Sequence, residues 1–238
     1  MLPMFYESIT ALNTTAHHDA FLEPVKDYSF AKKSSTIAVG VSEFVQASYE
    51  YPVIFIRNDD NVTPMVLTGL KGQTNTFVAE DDGRWLGNYL PAYVRRYPFV
   101  LAKGKDEILT VCIDETYSGF NRAGLGEKLF DEEQRSQYLE GQISFLQAFE
   151  EEMQRTKKFC DYLLEFDLLE DSNATVERKD EEPHNIRGFC VVSRERLNKL
   201  SAKDLKKLQK VGALELIYQH LSSLSQFDTL LNKDRQTS

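Results

Sequence analysis

Residues 83–99 read GRWLGNYLPAYVRRYPF, and the rest of the chain is organised around this stretch. It holds the only tryptophan of the chain and three tyrosines at four-residue spacing, namely Trp85, Tyr89, Tyr93 and Tyr97. Pro91 fits the first turn of a helix, where a missing N–H group costs no hydrogen bond. Pro98 disfavours helical backbone angles at Tyr97. The stretch therefore predicts a short helix that ends near Tyr97.

The same stretch carries an arginine pair, Arg95 and Arg96. In the predicted helix, Tyr93 and Tyr97 share one face. Arg96 flanks Tyr93, whereas Arg95 points to roughly the opposite side. Arginine recognises carboxylates and phosphates with two hydrogen bonds and stacks on aromatic rings, and tyrosine and tryptophan are favoured anchors in binding sites. We therefore predict a surface that recognises a peptide or protein partner, formed by Trp85, Tyr89, Tyr93, Arg95, Arg96 and Tyr97.

A structural role for these side chains is the open alternative. Asp81, Asp82 and Asp114 carry carboxylates with which the two arginines could pair inside the fold. The aromatic rings would then be core packing. The residues of the stretch leave both interpretations open.

Short apolar runs on both sides of this stretch are typical of strands. They are bounded by polar turn residues and lie at residues 37–41, 53–56, 65–70, 75–78, 99–102 and 108–113. The Asp82-Gly83 pair is a strong turn signal, and neighbouring runs are expected to pair in antiparallel. The run ILTVCI, residues 108–113, predicts a central buried strand because it is rich in β-branched residues and bounded by charge.

The pattern changes to helical spacing after residue 127. Residues 131–166 contain no proline, and their apolar residues recur with a polar face opposite them. One continuous helix there would be about 54 Å long, so we expect two helices with a break near Gly141 or ahead of it. Residues 170–185 are expected to form an exposed loop or hairpin. GFCVV, residues 188–192, predicts a strand that returns to the sheet before further helices.

These patterns predict an α+β fold, in which an antiparallel-rich sheet from the N-terminal half carries a helical C-terminal half packed on it. We expect a single domain over residues 1–238, β-rich at 37–115 and mainly helical at 127–231. A chain of 238 residues with 42% hydrophobic residues is long enough to bury a core without disulfides or a metal.

Composition and charge exclude several functional classes. The net charge of −9 argues against a general binder of nucleic acid or anionic membranes, because both need a positive surface. The three separated cysteines predict reduced, mostly buried thiols, which are Cys112, Cys160 and Cys190. The chain has no apolar run long enough to cross a membrane and no features of a signal peptide at its start. We therefore expect a cytoplasmic protein without a transmembrane segment, and we make no prediction of its oligomeric state.

Catalytic and metal-binding motifs are weak in this sequence. His17-His18-Asp19 contains H-x-D, which begins the iron site of two histidines and one carboxylate in some oxygenases. That site needs a distant histidine, either His184 in a polar segment or His220 beside an apolar helix face. Glycine-rich phosphate loops and the G-x-S-x-G motif are missing. We predict no catalytic residue, no metal and no cofactor.

The chain resembles the bacterial SapC family over nearly its full length. The matching segments are LNTTAHHDAFL (12–22), YPVIF (51–55), GLKGQTNTFV (69–78), DDGRWLGNYLPAYVRRYPF (81–99), GFCVVSRERL (188–197) and LIYQHLSSL (216–224). YLPAYVRRYPF is the most specific of them, and the order and spacing of the others agree.

The resemblance implies a non-catalytic protein that supports surface-layer or cell-envelope assembly. The family takes its name from an association with paracrystalline surface layers, and no catalytic mechanism is established for it. The missing signal-peptide features then imply either another export route or action on a surface component inside the cell. Family members also lie near genes for iron/2-oxoglutarate oxygenases and flavin-dependent tryptophan halogenases. The alternative implied by that neighbourhood is an enzyme, or an enzyme accessory, in peptide or amino-acid modification.

Overall fold

The computed structural model describes residues 2–59, 61–103, 109–178 and 181–236, and for residues 103, 174–178, 181–185 and 234–236 it describes the backbone alone. The strands are β1 (Ile9–Ala11), β2 (Phe21–Leu22), β3 (Thr36–Ala38), β4 (Val53–Asn58), β5 (Asn61–Leu67), β6 (Phe99–Lys103), β7 (Leu109–Asp114), β8 (Phe120–Asn121), β9 (Glu127–Lys128), β10 (Phe130–Asp131), β11 (Gln134–Arg135), β12 (Leu169–Arg178) and β13 (Glu181–Val192). The α-helices are α1 (Thr14–His17), α2 (Phe44–Ala47), α3 (Ala92–Arg95), α4 (Gln137–Glu165), α5 (Arg194–Asn198), α6 (Ala202–Lys210), α7 (Ala213–Ser223) and α8 (Gln226–Gln236).

The larger sheet has five strands in the order β12-β13-β4-β5-β3, and each neighbouring pair is antiparallel. The predicted return of GFCVV to the sheet is confirmed, because Cys190 in β13 pairs with Phe55 in β4. A second antiparallel sheet has the order β1-β7-β6, which confirms ILTVCI as its central strand. Helix α4 packs on β5 and α7 packs on β13 and β4. The α+β class with antiparallel sheets is therefore confirmed.

The strand predicted at residues 75–78 is wrong. Those residues form turns, with one isolated bridge between Val78 and Trp85. The side-chain oxygen of Asn75 accepts a hydrogen bond from the Phe77 backbone N–H, and its amide donates to the Ala31 carbonyl. Asparagine offers the backbone this local alternative to a sheet ladder, which explains the difference.

The break predicted near Gly141 is also wrong, because α4 is one helix of 29 residues with Gly141 in its second turn. The residues before it form the β10–β11 hairpin, and Ser136 caps the helix by accepting from the Leu139 N–H. The length is about 43 Å. The helix is this long because its two ends pack into different hydrophobic clusters, with Leu139 near the start in one and Leu163 near the end in another.

Three hydrophobic clusters make up the buried core of the described residues, and residues 83–99 contribute to all of them. Val94 belongs to the large cluster between the five-stranded sheet and the helices. Phe99 belongs to the cluster that contains the start of α4. Tyr97 belongs to the smallest cluster, with Tyr6. Residues 83–99 therefore connect the three hydrophobic clusters.

Candidate functional site

Residues 83–99, which we call the recognition segment, begin as a loop and then form α3 before entering β6. The predicted short helix is present, and it ends at Arg95 with Arg96 as its C-cap. The peptide bond between Tyr97 and Pro98 is cis. At the other end, Gly83 has a positive φ of 68° and approaches the Asp27 side chain closely. The start of the segment is therefore fixed by the backbone geometry at Gly83.

Two glutamates outside the segment hold its loop in place. Oε1 of the buried Glu43 accepts from the Tyr89 hydroxyl and from the Ala92 N–H, each at 2.7 Å. Glu50 accepts from the backbone N–H groups of Asn88 at 2.7 Å and Tyr89 at 3.1 Å. Neither glutamate is identifiable as a partner from the sequence, because the contacts span 38 to 49 residues and no local spacing marks them.

Trp85 is half-buried, and the fold uses its polar atom. Its indole N–H points to the Tyr51 hydroxyl and to the Tyr89 carbonyl, both at 3.1 Å. The ring stacks on Phe77 with the centroids 6.1 Å apart and meets Tyr28 edge-on at 6.0 Å. Trp85 is thus fixed in position with part of its ring exposed.

Tyr97 lies below the surface. Its ring stacks on Phe30 at 4.1 Å and meets Tyr6 edge-on at 5.3 Å. Burial, reinforced by the nearby carboxylate of Asp114, raises the pKa of Tyr97 to about 12. The hydroxyl therefore stays neutral under ordinary conditions, and the side chain contributes packing.

Arg96 is also buried, with 6% of its surface exposed. Its guanidinium carbon lies 3.9 Å from the Tyr93 ring centroid, 5.0 Å from that of Phe149 and 5.7 Å from that of Tyr6. Its enclosed Nε has no hydrogen-bond partner among the described residues. Arg96 thus contacts three aromatic rings, and no hydrogen bond joins its side chain to the described residues.

Arg95 faces the other way and is exposed, as the helical spacing predicts. Its guanidinium carbon lies 5.3 Å from the Phe145 ring centroid. Arg95 also approaches the Tyr89 hydroxyl. Burial and then Glu43 raise the pKa of Tyr89, and the positive charge of Arg95 opposes that rise.

The three aspartates considered as internal partners bond elsewhere. Asp82 pairs with Arg84 at 3.4 Å, and Asp81 accepts from the Asp82 N–H. The buried Asp114 ends β7 and accepts from the Glu7 and Ser8 backbone N–H groups just before β1, and from the backbone N–H and hydroxyl of Thr116. No ion pair joins these aspartates to Arg95 or Arg96 within the described part of the chain.

The six predicted residues therefore divide into two layers. Arg95 is exposed, and Trp85, Tyr89 and Tyr93 are half-buried. These four form what we call the recognition surface. Arg96 and Tyr97 lie beneath it, where Arg96 contacts Tyr93 from below.

The histidines considered for an iron site do not come together. His17 is buried, with Nε2 2.9 Å from a Glu115 carboxylate oxygen and Nδ1 3.1 Å from the Asn13 carbonyl. His220 is buried among backbone groups in the larger sheet. The side chain of His184 lies outside the described residues. Among the residues that are described, no three side chains of His, Cys, Asp or Glu are grouped as metal ligands. All three cysteines are free and buried, as predicted.

A family model described as SapC matches residues 12–230. Neither a curated protein nor a solved structure matches the chain. No helix in the described ranges has both the length and the apolar character needed to cross a bilayer.

Proposed function

Because the chain belongs to the SapC family, we propose that it is a non-catalytic protein that supports surface-layer or cell-envelope assembly by binding a peptide or protein partner. The recognition surface of Trp85, Tyr89, Tyr93 and Arg95 makes the contact. One observation carries the proposal: an exposed guanidinium and three half-buried rings stand on one short segment, whose backbone N–H groups are bonded to Glu43 and Glu50.

Rigidity matters because it reduces the entropy lost on binding. Glu43 and Glu50 fix the loop through backbone N–H groups, so the segment needs little rearrangement to accept a partner. Hydrogen bonds between N–H groups and ionised carboxylates are also among the stronger ones in proteins. The rings and the guanidinium are therefore presented in a fixed arrangement.

The side chains of this surface suit a peptide partner. Aromatic rings supply contact area at low conformational cost, and tyrosine, tryptophan and arginine are the residues most often found to dominate binding energy. The exposed Arg95 adds a positive charge on a chain whose net charge is −9. Such a local charge favours a partner that carries acidic groups near its own apolar anchors.

We further propose that residues 1–238 fold as one domain and that the protein acts in the cytoplasm on its partner. Helix α4 supports the single domain, since it packs into two of the three hydrophobic clusters. Chemical denaturation monitored by tryptophan fluorescence and by circular dichroism tests it. Coincident transitions are expected, and two separate transitions would contradict a single domain.

The experiment for the recognition surface is affinity capture from the native host. The purified chain, Arg95→Ala and Arg155→Ala are used as baits under the same conditions. Arg155 is a matched control because it is an exposed arginine on α4 that pairs with Glu152 of the same helix at 3.7 Å. We expect the same partner with the original chain and Arg155→Ala, and a loss of at least about tenfold with Arg95→Ala, the effect of removing a dominant binding residue.

The three baits must unfold at the same temperature for the comparison to be valid. Equal capture by Arg95→Ala and the original chain, with equal melting temperatures, would contradict the proposed surface. Arg96→Ala is the wrong probe, because Arg96 is buried and its removal leaves a cavity.

A further inference from the structure

Arg96 stands out because a charged side chain this deeply buried normally has polar partners. A guanidinium carries five N–H donors and no acceptor. The Arg96 side chain donates no hydrogen bond to the described residues, and its Nε is enclosed as well as unpartnered. Of the charged side chains buried in the described chain, Glu43 and Asp114 both accept several hydrogen bonds. Arg96 is therefore the exception.

The surrounding rings stabilise the charge without satisfying the donors. Three rings lie within about 6 Å of the guanidinium carbon, the range of cation–π attraction. The faces of the rings attract a cation but do not replace an oxygen atom at the N–H groups. The Tyr6 hydroxyl donates to the Phe99 carbonyl at 2.6 Å, and no hydrogen bond joins it to Arg96. An acceptor is missing from the arrangement.

Two of the three rings do not face each other across the guanidinium. The Arg96 guanidinium carbon lies 3.9 Å from the Tyr93 ring centroid and 5.0 Å from the Phe149 ring centroid, and the two centroids lie 6.2 Å apart. Seen from the guanidinium carbon, the two rings are therefore about 90° apart. The two rings therefore do not enclose the guanidinium from opposite faces. None of the three guanidinium nitrogens has a partner in the described part of the chain, but only Nε is also fully enclosed.

We propose that Arg96 is the binding site for a carboxylate of the partner, contributed by an acidic side chain or by the C-terminus of a peptide. This inference rests on the proposed function and names the chemical group that the recognition surface selects. A carboxylate is planar and accepts two parallel N–H bonds from one guanidinium. Arg95, exposed on the next residue, attracts the same charge toward the surface.

Charge favours a carboxylate over a phosphate here. A phosphate monoester carries nearly two negative charges at neutral pH, and Arg96 is a single enclosed cation. Burial is the main cause that raises the pKa of Tyr6 and of Tyr97, and the buried carboxylate of Asp114 adds to both rises, whereas Arg96 opposes the rise at Tyr6. A singly charged ligand is the better match for this balance.

The test observes the side-chain Nε–H signal of Arg96 by proton–nitrogen NMR in the full chain. Sodium acetate is titrated against sodium chloride at the same ionic strength. We expect acetate to shift this signal downfield and to saturate in the millimolar range, which suits a ligand of a few atoms. Chloride should leave the signal unchanged. N-acetylglycine and N-acetylglutamate amide, used separately, distinguish a peptide C-terminus from an acidic side chain.

Arg96→Lys assigns the signal and provides the second measurement. Lysine keeps the charge but lacks the planar pair of donors, so acetate affinity, followed through the backbone signals of residues 92–97, should fall at least about tenfold. Arg155→Lys is the matched control, and its acetate affinity should equal that of the original chain.

Three results would overturn the inference. They are an Arg96 signal that acetate does not shift, a shift that chloride reproduces, and a response to inorganic phosphate but to no carboxylate. If one of these results is obtained and Arg95→Ala still reduces partner capture, the carboxylate site is wrong and the proposed function is retained. Acetate binding at Arg96 without any effect of Arg95→Ala on capture would instead contradict the recognition surface while supporting the carboxylate site.

Discussion

Two regions of the molecule each bury an ionisable side chain: His220 lies where α7 packs on the larger sheet, and Arg96 lies in the recognition segment. The two side chains differ in their hydrogen bonds. His220 has both ring nitrogens bonded: Nδ1 donates to the Val53 carbonyl at 2.8 Å and Nε2 accepts from the Val192 N–H at 3.0 Å. Arg96 has no hydrogen bond to the described residues. A side chain whose polar atoms are all used belongs to the fold, whereas one whose donors are unused has capacity left for a ligand.

The surroundings of His220 extend the contrast. The Ser223 hydroxyl donates to the His220 carbonyl and accepts from the Val53 N–H, so the helix and β4 are joined twice. His220 is neutral because burial lowers its pKa to about 4, although the bond to Val53 opposes the change. The histidine therefore acts as an uncharged link between two strands and a helix.

Removing the His220 link should produce the largest effect. His220→Ala leaves the Val53 carbonyl and the Val192 N–H without partners and opens a cavity, which is expected to lower the free energy of unfolding by about 3–5 kcal/mol. Urea denaturation at pH 7 measures it. Tyr218→Ala is the control, since Tyr218 is exposed on the same helix, and it should cost no more than about 0.5 kcal/mol. A loss below about 1 kcal/mol for His220→Ala would mean that the link is not structural.

The next effect is the pH dependence of stability that His220 confers. Its pKa is lower in the folded protein than in the unfolded chain, so the unfolded chain takes up the proton first as the pH falls. The contribution is complete above the unfolded value of 6.5 and is lost as the pH approaches about 4. Over that pH interval the contribution of His220 to the free energy of unfolding should fall by about 3 kcal/mol.

Carboxylates titrate over part of the same interval, so the difference between two proteins isolates the histidine. Urea denaturation at pH 7, 6, 5 and 4 is compared for the original chain and for His220→Gln, which does not titrate. The gap between the two stability curves should narrow as the pH falls. A constant gap would show that His220 is not neutral and bonded as described.

Whether a contact in these two regions is predictable from the sequence depends on how far apart its two residues are along the chain. The β4–β5 hairpin and the central position of β7 are predictable because short apolar runs and turn residues are local signals. The exposure of Arg95 follows from helical spacing. The surroundings of Arg96 are not predictable, because Tyr6 and Phe149 come from positions far along the chain in both directions.

The same reason explains the other differences. Glu43 and Glu50 satisfy N–H groups of a loop that no spacing relates to them. The side-chain bonds of Asn75 outweigh the apolar pattern of residues 75–78. The continuity of α4 through Gly141 depends on two clusters that only the folded chain contains.

A glycine pair tests whether the recognition segment is held as firmly as the His220 junction. A Cβ at Gly83 would lie 1.9 Å from the Asp27 carboxylate, and the positive φ there disfavours any other residue. Gly83→Ala should lower the free energy of unfolding by about 1–3 kcal/mol. At Gly141 no atom of the described residues lies within 4 Å of a new Cβ, so Gly141→Ala should raise the free energy of unfolding by about 0.5–1 kcal/mol. Equal effects from the two changes would mean that the segment is not anchored at Gly83.

The smallest effect on stability, and the sharpest test of the contrast, is expected for Arg96→Met. Methionine fills much of the same space without charge or donors. Because a buried charge without hydrogen-bonded partners contributes little net stability, its replacement by an apolar side chain should change the free energy of unfolding by no more than about 1 kcal/mol. Acetate binding should nevertheless disappear, which backbone NMR signals of residues 92–97 report.

Arg155→Met, with the exposed arginine of α4 as control, should change neither stability nor acetate binding. If Arg96→Met instead cost more than about 3 kcal/mol, the size expected for breaking a satisfied buried ion, Arg96 would resemble His220. The two regions would then follow the same rule, and the unused donors of Arg96 would have partners within the folded chain. An unfilled carboxylate site predicts that Arg96→Met leaves the free energy of unfolding nearly unchanged and abolishes acetate binding. A side chain that only packs in the core would not bind acetate in the original chain.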